Sequence, residues 1–207
     1  MKRILMAVAV LGAFAAAPAS AQWYIGGGVG AARTTMGSVS LGPNQSVTSG
    51  SSNNNTSWKF LGGYQFTPNW GIEAAYTDLG RMSYTVQNGP ASASGRANSS
   101  ALTLAGTGTY WINDRFSLIG KLGVSTGRSK FDNTSVTNAG TTVTLSGNSR
   151  QSDLLAGVGV GYNFDKNWGV RVEYENFGKI GGLNASNGGS SSRVKAENWA
   201  LSVKYSF

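Results

Sequence analysis

Near the end of the chain every second residue is large and apolar. Trp199, Leu201, Val203, Tyr205 and Phe207 alternate with Ala200, Ser202, Lys204 and Ser206. A period of two puts the apolar set on one face of an extended strand. The same alternation recurs over residues 23–33, 58–66, 70–79, 101–112, 116–129, 153–164 and 168–177. With 195–207 this predicts eight strands, each near the roughly 9–11 residues that a tilted strand needs to cross a bilayer. Three connections are short: Thr67-Pro68-Asn69, Asn113-Asp114-Arg115 and Asp165-Lys166-Asn167. Four are long and rich in Ser, Asn and Gly, covering about 34–57, 85–100, 130–152 and 178–193. Regular alternation of short and long connections predicts tight turns at one end of the sheet and long mobile loops at the other.

The two faces differ in kind. One carries Trp23, Ile25, Val29, Phe60, Tyr76, Leu104, Leu122, Val158 and Val172, a run too continuously apolar for water. The other holds glycines together with Lys59, Glu73, Lys121, Arg171, Glu173, Glu175 and Lys204. A soluble sandwich would bury the apolar face, whereas here the charged face must be the interior. Trp23, Phe66, Trp70, Tyr110, Phe116, Phe164, Trp168 and Phe207 gather at the short-turn ends, as an aromatic girdle at a headgroup boundary would. The expected fold is all-β, an eight-stranded antiparallel up-and-down transmembrane β-barrel over residues 22–207.

The start of the chain agrees. Lys2 and Arg3 precede an apolar stretch over residues 4–17, and Ala19-Ser20-Ala21 gives the small-x-small pattern of a cleavage site. The stretch is shorter than the roughly 20 residues of a spanning helix, so residues 1–21 read as a cleavable export signal. Removing Lys2 and Arg3 takes the net charge from +8 to +6. No cysteine is present, so neither disulfides nor an acylated cysteine is available.

The second and third strands carry a more specific string. Gly62-Gly63-Tyr64-Gln65 is followed by Pro68, Gly71-Ile72-Glu73, Tyr76 and Leu79-Gly80-Arg81-Met82. This resembles the eight-stranded transmembrane domain of OmpA-type outer membrane proteins. Trp23-Tyr24, Lys121-Leu122-Gly123, Arg171-Val172-Glu173-Tyr174 and the closing Leu201 to Phe207 fit it as well. The resemblance implies a side-chain-filled interior with a charge network, with Glu73 and Arg171 on matching positions. In two places the chain departs from it: Thr107 aligns with an interior lysine and Gly161 with an interior glutamate. The family's peptidoglycan-binding domain is not expected, because the sequence stops at Phe207.

Counting residues from the short turns puts Glu73, Lys121, Arg171, Glu173 and Lys204 near one layer in the periplasmic half of the barrel. They form the expected interior charge network. Arg81, Arg96, Arg128, Lys130, Arg193 and Lys195 lie at the loop ends of strands. They form an expected basic rim that would neutralise lipopolysaccharide phosphates. The chain has no histidine and no cysteine. The usual general base and thiol nucleophile are therefore missing, so no enzyme, cofactor or metal site is expected. The expected partners are outer membrane lipids, including lipopolysaccharide, and the barrel assembly machinery acting through the last strand. Nucleic acid is not one of them. The expected state is a monomer in the outer membrane of a Gram-negative bacterium. Its expected role is structural, supporting envelope integrity with the lumen mostly occluded. A low-conductance pore and a loop-based adhesin are the alternatives.

Overall fold

The computed structural model describes residues 22–36, 39–42, 45–48, 51–183 and 192–207. The export signal expected over residues 1–21 lies outside the described residues. Ten strands follow in order: β1 (Gln22–Met36), β2 (Val39–Gly42), β3 (Gln45–Thr48), β4 (Ser51–Gln65), β5 (Trp70–Asn88), β6 (Ala91–Trp111), β7 (Phe116–Asn138), β8 (Thr141–Asn163), β9 (Trp168–Leu183) and β10 (Ser192–Ser206). Eight of them close into an antiparallel barrel in the ring order β5-β4-β1-β10-β9-β8-β7-β6, with β6 returning to β5. First and last strands pair over a long register, from Tyr24 opposite Ser206 to Met36 opposite Val194. No helix among the described residues is long and apolar enough to cross a membrane.

The three tight turns share one local device. A side-chain oxygen accepts the backbone N–H groups two and three residues on. Thr67 Oγ1 takes those of Asn69 and Trp70, Asn113 Oδ1 those of Arg115 and Phe116, and Asp165 Oδ1 those of Asn167 and Trp168. Such side-chain mimicry of a turn is what Thr, Asn and Asp do best. The carbonyls of Asn69, Arg115 and Asn167 then accept from Thr109, Asn163 and Ser206 of the neighbouring strand, which sets the stagger. The two backbone N–H bonds hold the Asp165 carboxyl below its usual range. Its contribution to the turn is complete above the ordinary carboxylate range and is lost as pH falls through that lowered value.

At the other end the structure corrects the expected loops. Much of 85–100 and 130–152 is not loop. β5–β6 and β7–β8 run on as paired arms to two-residue tips, with Asn88 opposite Ala91 and Asn138 opposite Thr141. In the second tip Ala139 and Gly140 both have positive φ, the geometry of a hairpin whose twist matches its strands. The arms are held by hydroxyl pairs such as Thr126–Ser152 at 3.0 Å, Ser135–Thr144 at 2.9 Å and Thr137–Thr142 at 2.8 Å. Tyr84, Val86, Ala97, Phe131 and Val136 are buried between them. Within 34–57, β2 and β3 form a hairpin, and β3 pairs with the top of β5. In 178–193 strand structure continues to Leu183 and resumes at Ser192.

Hydrogen exchange on the refolded protein should therefore show slow amides through residues 92–100 and 126–131, with fast exchange confined to the tips at 89–90 and 139–140. Fast exchange across both arms would contradict the pairing.

Candidate functional site in the barrel interior

Strand parity places Tyr24, Lys59, Glu73, Lys121, Arg171, Glu173 and Glu175 inside, and all of them are buried. Glu73 on β5 and Arg171 on β9 stand four places apart around the ring of eight, on opposite walls. Their 2.8 Å contact, Arg171 Nη2 to Glu73 Oε2, crosses the whole lumen. Lys121 Nζ on β7 lies 2.6 Å from Glu73 Oε1, 2.5 Å from Glu173 Oε1 and 3.2 Å from Glu175 Oε1. Lys59 Nζ on β4 lies 2.6 Å from Glu175 Oε1 and 3.4 Å from Glu173 Oε2. Three cations and three carboxylates thus form one neutral cluster. Glu73, Glu173 and Glu175 put carboxylate oxygens within 4.8 Å of one another. Lys59, Lys121 and Arg171 already supply the opposing charge.

Of the five residues expected in the network, Glu73, Lys121, Arg171 and Glu173 come together and Lys204 does not. Lys204 sits nearer the short turns, opposite Gly169 and Gly26, with Nζ 5.3 Å from the centre of the Tyr24 ring. Counting from the turns places it in the layer, but the register of β10 puts Ser202, not Lys204, opposite Arg171. Lys59 and Glu175, read only as inward residues, complete the cluster. Each stands seven residues from a short-turn aromatic, Phe66 or Trp168, and that shared height was the available signal. Tyr24 donates to Glu73 Oε2 at 3.1 Å while its ring faces Arg171 at 5.6 Å. Gly63 makes this possible, since a Cβ there would lie 2.2 Å from Tyr24 Cζ.

Below the cluster is a cavity of about 30 Å³, with Thr107, Gly161, Arg171 and Lys204 in its wall. Above it the lumen is mixed, with Ser57, Asn198, Ser125 and Ser129 buried beside a group of apolar side chains. Leu79, Leu155, Phe177, Ile180 and Val194 are fully or almost fully buried in one cluster. β9 pairs with β8 only up to Asn176. Gly178 then takes φ +64, with Asp153 Oδ2 accepting the N–H of Lys179 at 2.9 Å, and the strand turns inward. Ile180 lands against Gly127 on the inner face of β7, where a Cβ would come within 2.1 Å of Ile180 Cβ.

On the outside, Trp23, Trp70, Tyr110, Phe116, Phe164, Trp168 and Phe207 are exposed and Phe66 is half-buried, all at the short-turn end. They form three matching triads: Trp23–Tyr64–Phe66, Phe116–Tyr162–Phe164 and Trp168–Tyr205–Phe207, with ring centres 4.7–5.4 Å apart. The signal was a Tyr-x-Phe triplet at the ends of three strands. Where the fourth would fall the chain has Gly108-Thr109-Tyr110, and the Trp70 ring lies over Gly108. Of the basic rim, Arg81, Arg96, Lys130 and Lys195 are exposed and Arg128 is half-buried. Arg193 pairs through its backbone with Gly182, and its side chain lies outside the described residues. The rim is not an even ring: Arg81, Arg96, Arg128 and Lys130 share β5–β7, joined by Arg150 directly opposite Arg128.

The model of the OmpA-like transmembrane domain matches residues 18–207, almost the whole chain. The chain belongs to the OmpA-like transmembrane domain family. Outer membrane protein A of Serratia marcescens is 33% identical over 192 residues, covering 87% of this chain and 50% of that protein. The chain thus spans about half the length of this relative. Among solved structures, OprG from Pseudomonas aeruginosa superposes with a TM-score of 0.60 at 15% identity, covering 91% of this chain and 96% of that one. The outer membrane protease OmpT from Escherichia coli gives 0.55 at 12% identity, covering 90% and 97%. Likeness at these identities concerns the fold. As an OmpA-like barrel, the protein resides in the outer membrane of a Gram-negative bacterium.

Glu73 holds both Arg171 and Lys121, so Glu73→Ala leaves two buried cations under-paired. It should lower unfolding free energy by about 3–5 kcal/mol in urea titrations of the folded barrel. Lys130→Ala, on the exposed rim, should stay within about 1 kcal/mol of wild type. Equal effects would mean that the interior cluster carries no special stability.

Proposed function

We propose that this barrel is a structural, non-conducting component of the outer membrane, closed along its axis by side chains. The observation that carries this reading is the stacking of two unlike layers in one narrow lumen. The neutral cluster joins opposite walls through Glu73 and Arg171. The inward turn of β9 covers it with Phe177 and Ile180. An eight-stranded barrel is only wide enough for its interior to be filled by side chains. An ion entering from outside would first pass the closely packed layer of Leu79, Leu155, Phe177 and Ile180, where few groups replace its hydration. The cavity beneath the cluster has Arg171, itself a member of the cluster, in its wall.

A catalytic role finds little to work with. The chain has no histidine or cysteine, and the buried carboxylates are all engaged by cations. The protease OmpT shares the architecture at 12% identity, which extends to fold and not to chemistry.

A second reading concerns the outer surface. Arg128 and Arg150 face each other directly across β7 and β8. Like charges directly opposite on a sheet repel, and an anion between them would relieve the repulsion. Lipopolysaccharide phosphates at the outer leaflet are anions of suitable charge and height, so contact with them is the proposed role of the β5–β8 basic patch.

Refolded protein in a planar bilayer should pass no steady current. Discrete, reproducible steps would replace the structural reading by that of a low-conductance pore. Arg128→Ala and Arg150→Ala should each weaken lipopolysaccharide association by about 1 kcal/mol, roughly fivefold, at low salt and by less at high salt. Affinity that is unchanged at every salt concentration would remove the patch from the binding surface.

A further inference from the structure

We propose that the cavity beneath the ionic cluster is a binding site for one chloride-sized anion, entered from the short-turn end of the barrel. Charge counting comes first. At the level of the cluster and the cavity beneath it, Lys59, Lys121, Arg171 and Lys204 stand against Glu73, Glu173 and Glu175. The Asp153 carboxylate lies higher, at the turn of β9. Four cations against three carboxylates leave one positive charge in excess. The three carboxylates are taken up by Lys59, Lys121 and Arg171, and none among the described residues pairs with Lys204. Its ammonium faces the Tyr24 ring at 5.3 Å from the centroid. Lys204 is half-buried, and a bound counter-ion beside it removes the imbalance.

The cavity has the chemistry for such an ion. Lys204 and Arg171 both line it, with the hydroxyls of Thr107, Thr109 and Ser117 and the amide of Asn163. These groups can all donate hydrogen bonds. Arg171 is 6% exposed, and its Nε is buried with no hydrogen-bond partner. A free N–H beside a free ammonium, with hydroxyls around them, is a donor set in search of an acceptor. The volume of about 30 Å³ sets the size. It is room enough for one monatomic anion. Gln65, Trp111 and Asn163 in its wall lie beside the three tight turns, which fixes the side of entry.

The test uses the refolded full chain and exchanges gluconate, too large for the cavity, for chloride at constant ionic strength. The folding equilibrium constant from urea titration should rise saturably. The rise should be about tenfold once chloride reaches about ten times its dissociation constant. Lys204→Met removes the excess charge and Thr109→Asp supplies a carboxylate in place of the anion, so both should abolish the chloride dependence. Arg150→Ala, on the exposed patch, should retain it. In crystals of the wild-type protein grown in bromide, an anomalous peak should lie between Lys204 Nζ and the Arg171 guanidinium. Identical curves in gluconate and chloride would overturn the proposal, as proton loss from Lys204 would then balance the charge. So would a chloride effect lost in Arg150→Ala but kept in Lys204→Met, or a cavity holding water alone in the bromide crystals.

Discussion

A chain in lipid has no water to satisfy its backbone, so every N–H and C=O in the membrane band must find a partner within the protein. Here that demand is met by pairing β1 with β10, which turns an open sheet with two bare edges into a ring. The other features follow from this closure. Closure gives the sheet an inside, and period-two alternation then sends one set of side chains there and the other into lipid. Charges that would be ruinous on the lipid face become neighbours across a narrow lumen. Glu73 and Arg171 meet only because their strands stand on opposite walls of the same ring.

Once the interior exists, its energetics are decided by pairing. Three cations and three carboxylates form a cluster in which each group touches more than one opposite charge, apart from the position that Lys204 occupies alone. Such clusters are weak evidence of net stability, because their desolvation offsets much of their attraction, but breaking one is costly. This asymmetry makes the cluster a constraint on the fold. Gly63 shows how tightly it is built, since the space for a side chain there is occupied by the Tyr24 ring that supports Glu73. The apolar group above is held differently, by β9 leaving β8 at Gly178 and carrying Phe177 and Ile180 over the lumen.

The outer surface is also graded along the barrel axis. Aromatic triads mark the short-turn boundary, and the Trp58–Tyr76 and Tyr174–Trp199 pairs lie toward the other one. Trp199 on β10 and Phe207 just past its end are eight residues apart, and eight residues of tilted strand span about 20 Å, close to the apolar band of a barrel. Beyond it the basic residues concentrate on β5–β8. The paired arms carry that patch outward on a rigid sheet, so its residues hold fixed spacings.

Much of this was legible in the sequence, because it depends only on near neighbours. Period-two alternation identified the eight strands and which face each side chain takes. Thr67, Asn113 and Asp165 marked the tight turns, since each turn is closed by its own side chain. The arms were not legible: their Ser, Thr and Asn ladders lack the apolar alternation that signals a strand, and pairing alone reveals them. Lys59 and Glu175 joined the cluster and Lys204 left it for a similar reason. The level of a residue inside a barrel depends on its distance from a turn and on the stagger of every strand around the ring. Gly178 read as a loop glycine until closure placed Gly127 opposite, with room for Ile180. The sequence by itself determined strands, faces and turns, which are set by bonds a few residues long. The tertiary structure alone decided which charges meet and what fills the lumen, because those contacts join residues that only a closed ring brings within reach.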